Sequence, residues 1–415
     1  WIGVSFAALT IRIPLLFLPN PGRDEAAYFY WSHHFEPAYS LLMQVIVRLF
    51  MFLTLPDLFT MRFPSLLTGI LVVFLFDRLL QLRGVDYRFR FLALVLFAFS
   101  PWQSNFGVML NPDNFLLAAI LLFLISIIKE RYLLAAVFAG LAVLAKPTGV
   151  LIMPAAWYVF FISENLSLSR KWFYVMISLI FSTPVILSMK SEMLNAILEF
   201  GKMDQSISSP EALLLQLLLL IAGGGPLLVF YAIAGLKQKL RRQILSEHLN
   251  LENRATLAIS IFMFLFYGAA LIFNSQVKYN WLLPAVVIFW PNNLAPLKKA
   301  ILVPGIVLSI GLGVFQNVVK MKPKIITVAE NAIPELRSTF TLKGGIREDR
   351  VSASHSWSEH LLEYQTMEDF VQQIKTLLHR SGRDCQPIKW IVCDDYGLAS
   401  QLVFALGSKE IKMII

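Results

Sequence analysis

Ionisable residues are sparse in this apolar chain, and a few stand in patterns that could do chemistry. Asp24 and Glu25 adjoin each other behind Pro19-Asn20-Pro21-Gly22 and Arg23. Adjacent carboxylates can divide the work of general base and charge organiser. They can equally be anions in the first turn of the next helix. Asp113 follows Asn111-Pro112 at the head of an apolar run, where an aspartate ordinarily caps a helix. Lys146 lies before Pro147-Thr148-Gly149, a helix break. A lysine there requires an anion or water, or it snorkels towards the interface. Lys278 opens Lys278-Tyr279-Asn280-Trp281. It can hold a lipid phosphate, and its aromatic neighbours suit a membrane belt. His33 and His34 are adjacent, so on a helix they face different ways and suit packing better than metal ligation. The sequence has no glycine-rich phosphate loop, no Ser-His-Asp set and no zinc spacing, so neither a metal nor a cofactor is expected.

The elements that carry these residues must be mostly membrane helices. Of 415 residues, 57% are hydrophobic and 15% charged, with a mean hydropathy of +0.65. Soluble domains run at about 45–50% apolar and about 25% charged. A single soluble domain, a disordered chain and a disulfide scaffold are therefore excluded. Charge collects at the end: residues 320–415 hold 13 of the 36 Lys+Arg and 12 of the 27 Asp+Glu. The division predicted is a membrane domain over 1–319 and a small polar domain over 320–415. The net charge of +9 belongs mostly to membrane loops, so it reports topology and not a nucleic-acid partner.

A crossing takes about 20 mostly apolar residues. Long charge-free runs occupy 91–112, 114–128, 147–163, 172–189, 212–236, 255–277, 279–297 and 300–319, with shorter ones at 1–11, 63–76 and 132–145. Together they predict about eleven crossings. The run 37–56 is interrupted by Arg48 and is expected to lie along the interface. The loops 82–90, 129–131, 164–171, 237–254 and 298–299 then share one face, with 14 Lys+Arg against five acids. That face is the cytoplasmic one. The loops bearing Asp24, Asp113 and Lys278, and the 320–415 domain, fall outside. In the tail, 366–379 has helical spacing, Trp390–Cys393 and Lys409–Ile415 read as strands, and Gly397–Leu406 as a helix between them. Cys385 and Cys393 are the two cysteines and are expected to be free thiols. The chain opens inside an apolar run and ends inside a strand, which predicts a piece of a longer protein.

These outer loops resemble the membrane-integrated C-type glycosyltransferases. More narrowly they resemble the bacterial family-39 group, related to protein O-mannosyltransferases and to the lipid A aminoarabinose transferase. The likeness rests on Asp24-Glu25-Ala26-Ala27-Tyr28 with Trp31-Ser32, on Arg62-Phe63-Pro64-Ser65, and on Ser100-Pro101 with Asn111-Pro112-Asp113. It rests also on Gly140-Leu141, Leu144, Lys146 and Thr148-Gly149, on Lys278 with Asn280-Trp281 and Pro284, and on Tyr396–Leu402 in the tail. One departure is Glu36-Pro37-Ala38-Tyr39-Ser40, where the family usually has a basic residue before two prolines.

The resemblance implies a mostly α, polytopic membrane helical bundle with a small outer-face α/β C-terminal domain. It implies inverting transfer of a sugar from a polyprenyl-phosphate donor to a lipid, glycan or protein acceptor, at the periplasmic side of a bacterial inner membrane. Asp24 would be the general base or would orient the acceptor, with Glu25 supporting it and Asp113 as a second acid. Lys146, Lys278 and Arg23 would meet the donor phosphate. Tyr28, Tyr39, Asn280 and Trp281 would contact acceptor or lipid, and the 37–56 segment would cover the donor. Two other readings stay open: a lipid or ion transporter, and an inactive relative serving as a scaffold. The ionisable cluster at one face and the lack of an internal repeat set the transporter behind.

Overall fold

A computed structural model describes residues 2–17, 21, 23–35, 40–53, 55–188, 221, 224–245, 250–273, 283–290, 299–321, 390–392, 400, 403–404 and 412–414. The described residues are mostly helical. In chain order they form α1 (Ile2–Arg12), α2 (Arg23–His34), α3 (Leu41–Met51), α4 (Asp57–Leu82), α5 (Tyr87–Ala98), α6 (Pro101–Phe106) and α7 (Pro112–Ile128). Then come α8 (Tyr132–Ala145), α9 (Ile152–Ile162), α10 (Leu168–Ser188), α11 (Pro226–Leu245), α12 (Leu251–Phe273), α13 (Leu283–Val287) and α14 (Lys299–Met321).

The bundle is organised around α7. Its sequence is apolar on every side, so it has no face to offer to water. Every position from Pro112 to Leu121 and from Phe123 to Ile127 is buried. Its neighbours are chiefly α4, α8 and α12. On the far side of α8 lies α10, and Gly140 makes that approach possible: a Cβ there would sit 2.5 Å from the Cβ of Phe181.

Several apolar runs are not the single helices their length suggests. The run 91–112 breaks into α5 and α6, because Ser100 caps α6 by accepting from the Gln103 amide at 3.1 Å and Pro101 starts it without an N–H. The run 63–76 extends instead to 26 residues, Asp57–Leu82. Arg62 does not stop that helix, since its charge is paired inside the protein. Lys146-Pro147 separates α8 from α9 with a 3-10 turn over Pro147–Leu151. The run 279–297 holds only the short α13 within its described part. Among the described residues, α4 and α10 are long and apolar enough to cross a membrane by length and composition, so the expected eleven crossings are not reproduced as eleven such helices. The segment α3 has 11 residues, about 16 Å at 1.5 Å per residue, against a hydrocarbon core of about 30 Å.

At the end opposite α2, Arg83 Nε donates to Glu252 at 3.0 Å and its Nη1 donates to the Ile288 carbonyl at 2.8 Å. The loops 82–90 and 237–254, expected on one face, thus meet. In the tail, β1 (Trp390–Val392) and β2 (Lys412–Ile414) pair in parallel, Trp390 opposite Lys412. The helix expected at 366–379 lies outside the described residues. Phe404 packs edge-on against Phe29 of α2, ring centroids 5.7 Å apart.

Candidate active site

Asp24 and Glu25 occupy the first turn of α2, and the structure gives them different surroundings. Glu25 is buried. Arg62 Nε donates to its Oε1 at 2.9 Å and Arg62 Nη2 donates to its Oε2 at 2.7 Å. The Leu110 amide adds a third hydrogen bond to Oε1, at 2.9 Å. The remaining Arg62 nitrogen, Nη1, donates to the Leu15 carbonyl at 2.7 Å. One carboxylate and one guanidinium thereby tie α2, α4, the turn after α1 and the loop before α7 together. A buried ion pair repays its desolvation only when its other lone pairs and protons also find partners, and here the Leu110 amide and the Leu15 carbonyl supply two of them. Adjacent helix residues point about 100° apart, so the direction that buries Glu25 leaves Asp24 half-buried on a different side.

The loop that Glu25 holds leads straight to Asp113. The cap of α7 is Asn111, whose side-chain oxygen accepts from the Asp113 amide at 2.8 Å. This leaves the Asp113 carboxylate available for another partner, and Lys146 Nζ donates to it at 2.6 Å. Asp113 is 1% exposed and Lys146 12%. The lysine stands where α8 ends, at extended φ −155°, ψ 134°. Gly149 lets the following turn fold back, because a Cβ there would be 2.0 Å from the Ala142 carbonyl oxygen. The anion that a lysine at this break requires is therefore Asp113.

Other expected residues are less defined. Arg23 heads α2, with its side chain outside the described residues. Tyr28 is half-buried and meets Trp31 edge-on at 5.5 Å. Tyr39, Lys278, Asn280 and Trp281 lie outside the described residues. His33 and His34 pack on Phe29 and Tyr30, at 4.6 and 4.2 Å. Among the described residues no group of three or more His, Cys, Asp or Glu could hold a metal ion.

Two further contributors carried only weak signals in the sequence. Arg62 stood in a motif without a partner assigned to it. Arg12, the last residue of α1, is buried and donates to the Ala98 carbonyl. An arginine inside an apolar run is the shared signal, since such a charge survives only by finding a partner. The described residues of these motifs thus include a half-buried carboxylate, a clamped one and a lysine–carboxylate pair, groups that acid–base and charge-stabilising chemistry can use.

Residues 37–187 match the family model described as dolichyl-phosphate-mannose-protein mannosyltransferase. That segment includes Asp113 and Lys146. No curated protein sequence matches the chain. Among solved structures, ArnT from Cupriavidus metallidurans in the apo state is similar at 14% identity, covering 98% of this chain and 74% of its own, with a TM-score of 0.48. The same protein bound to undecaprenyl phosphate is similar at 14% identity and the same coverage, with a TM-score of 0.46. Over residues 37–187, about a third of its length, the chain is thus similar to the dolichyl-phosphate-mannose-protein mannosyltransferase family.

Proposed function

We propose that the chain transfers a sugar from a polyprenyl-phosphate donor to an acceptor at the outer face of the membrane, with inversion. The observation that carries this reading is convergence. The Glu25–Leu110 and Asp113–Lys146 contacts span 85 and 33 residues of sequence, and they draw acids and a base from three separate motifs to one end of the bundle. The family match over 37–187, whose description names a dolichyl-phosphate sugar, supports the donor class.

In this reading the acceptor oxygen attacks the anomeric carbon opposite the departing bond. Asp24 takes the acceptor proton, a new carbon–oxygen bond forms, and the phosphate leaves with the electron pair of the broken one. Lys146 and Lys278 stabilise that departing charge, as a positioned cation does. Glu25, held by Arg62, fixes the helix end that presents Asp24. The test is sugar transfer by the purified chain from a radiolabelled polyprenyl-phosphate sugar to a mixed acceptor extract. Transfer abolished by Asp24→Asn at unchanged melting temperature supports the reading. No transfer by the wild type overturns it in favour of a scaffold role.

A further inference from the structure

Arg12 is a buried charge that stands outside every ion pair among the described residues. It ends α1 and is 3% exposed. Its Nη2 donates to the Ala98 carbonyl at the end of α5. Its Nη1 lies against Gly107, where a Cβ would stand 2.9 Å away. Gly107 in turn abuts α4: a Cβ on Gly69 would meet the Gly107 oxygen at 2.8 Å. Gln103 closes this knot. Its Nε2 donates to the Gly69 carbonyl at 3.1 Å, and its own carbonyl accepts from the Gly107 amide at 2.9 Å.

Gly107 begins the segment that leads to Asp113. Val108 and Met109 are buried against Leu15, Leu16 and Leu66, contacts that attract without direction. Polar contacts must therefore fix where the segment stands. At its far end the Leu110 amide donates to Glu25, and three residues later the Asp113 carboxylate accepts from Lys146. At its near end stands Arg12. A buried charge without a counter-ion is costly, so stability alone is a weak reason for a guanidinium here. We infer that Arg12 is a positioning residue: seated on Gly107, it sets the register of the 107–113 segment and through it the placement of Glu25 and Asp113. The catalytic consequence rests on the transfer reading above.

Geometry and turnover can be read separately. Arg12→Met keeps a long unbranched side chain and removes the guanidinium. Replacing a poorly paired buried charge by an apolar residue is often neutral for stability, so the melting temperature should stay near that of the wild type. Hydrogen exchange of the amides between Gly107 and Asp113, measured on the purified full chain in detergent, should become about tenfold faster, as a loss of about 1.4 kcal/mol of local protection gives. The kcat of sugar transfer should fall about 10²-fold, the loss that a displacement of about 1 Å can cause, with KM for the donor unchanged. Gly107→Ala should act in the same way from the other side of the contact, and it replaces Arg12→Met if that variant does not fold. The double variant should be no worse than the worse single one, because both act on one contact. Arg83→Met, at the opposite end of the bundle, is the control and should leave exchange at 107–113 as in the wild type. Exchange unchanged in Arg12→Met, or faster throughout the chain with kcat per folded molecule intact, overturns the inference. A wild type that transfers no sugar overturns the transfer reading instead, and the exchange comparison then decides the role of Arg12 by itself.

Discussion

Glu25 and Arg62 meet through two hydrogen bonds of 2.9 and 2.7 Å, although 37 residues separate them. The pair gives Glu25 a structural duty, holding α2 to α4, while the neighbouring Asp24 is half-buried on a different side of α2. Breaking a buried pair from one side leaves an uncompensated charge and costs about 3–5 kcal/mol. Glu25→Ala and Arg62→Ala should therefore each lower the melting temperature markedly in detergent. The double variant Glu25→Leu with Arg62→Met should recover much of that loss, which a double-mutant cycle will measure.

Asp24→Asn should leave the melting temperature within a degree or two of wild type and reduce transfer about 10²–10⁴-fold, the usual loss on removing a positioned base. Asparagine remains a good residue at a helix start, so a stability effect would point instead to a structural duty. Initial rates with a labelled donor, set beside thermal unfolding, separate the two.

The cap and the acid of α7 are different residues, and their variants should part accordingly. Asn111→Ala removes the acceptor for the Asp113 amide and should cost about 0.5–2 kcal/mol of stability. Gly149→Ala should lower both stability and transfer, since the new Cβ meets the Ala142 backbone and the turn carrying Lys146 must move. Unfolding curves and transfer rates on the same preparations check both.

Arg83 and Glu252 are buried at the other end of the bundle. Arg83→Met should destabilise the chain while leaving transfer per folded molecule unchanged. A loss of specific activity at full folding would show that the two ends are coupled.

Sidedness is testable with single cysteines placed in a Cys385→Ser, Cys393→Ser background. Asn20→Cys should react with an impermeant thiol reagent in intact cells. Glu130→Cys, exposed in the turn between α7 and α8, should react only after the membrane is opened.

The helical class was legible because apolar length is a strong signal. Lys146 at a helix break called for an anion or water, or for snorkelling, and the resemblance gave it to the donor phosphate; its pairing with Asp113 depends on how α7 and α8 pack and was not legible. What sequence left ambiguous was which of two polar neighbours does which job. Asn111 and Asp113 both suit a helix start, and only their geometry separates cap from ion-pair partner. Glu25 and Asp24 were equivalent on local grounds until Arg62 and Leu110 distinguished them. The continuous run 91–112 hid a break because it was read by its lack of charge, and Ser100, Gln103, Ser104 and Asn105 are polar but uncharged. Contacts set by tertiary neighbours are invisible to counting along one strand of sequence.

The enclosure of α7 on every side has an evolutionary consequence. A helix such as α10 shows Trp172, Met176, Ile180 and Leu187 at its exposed surface, so lineages can exchange one greasy residue for another there at little cost. No such stripe exists on α7. Each position answers to a neighbour of fixed size, and changes must arrive in compensating pairs with α4, α8 or α12. A saturation library should accordingly find scattered tolerance along α10 and almost none along α7, and the acid at its head should be inherited together with the packing beneath it.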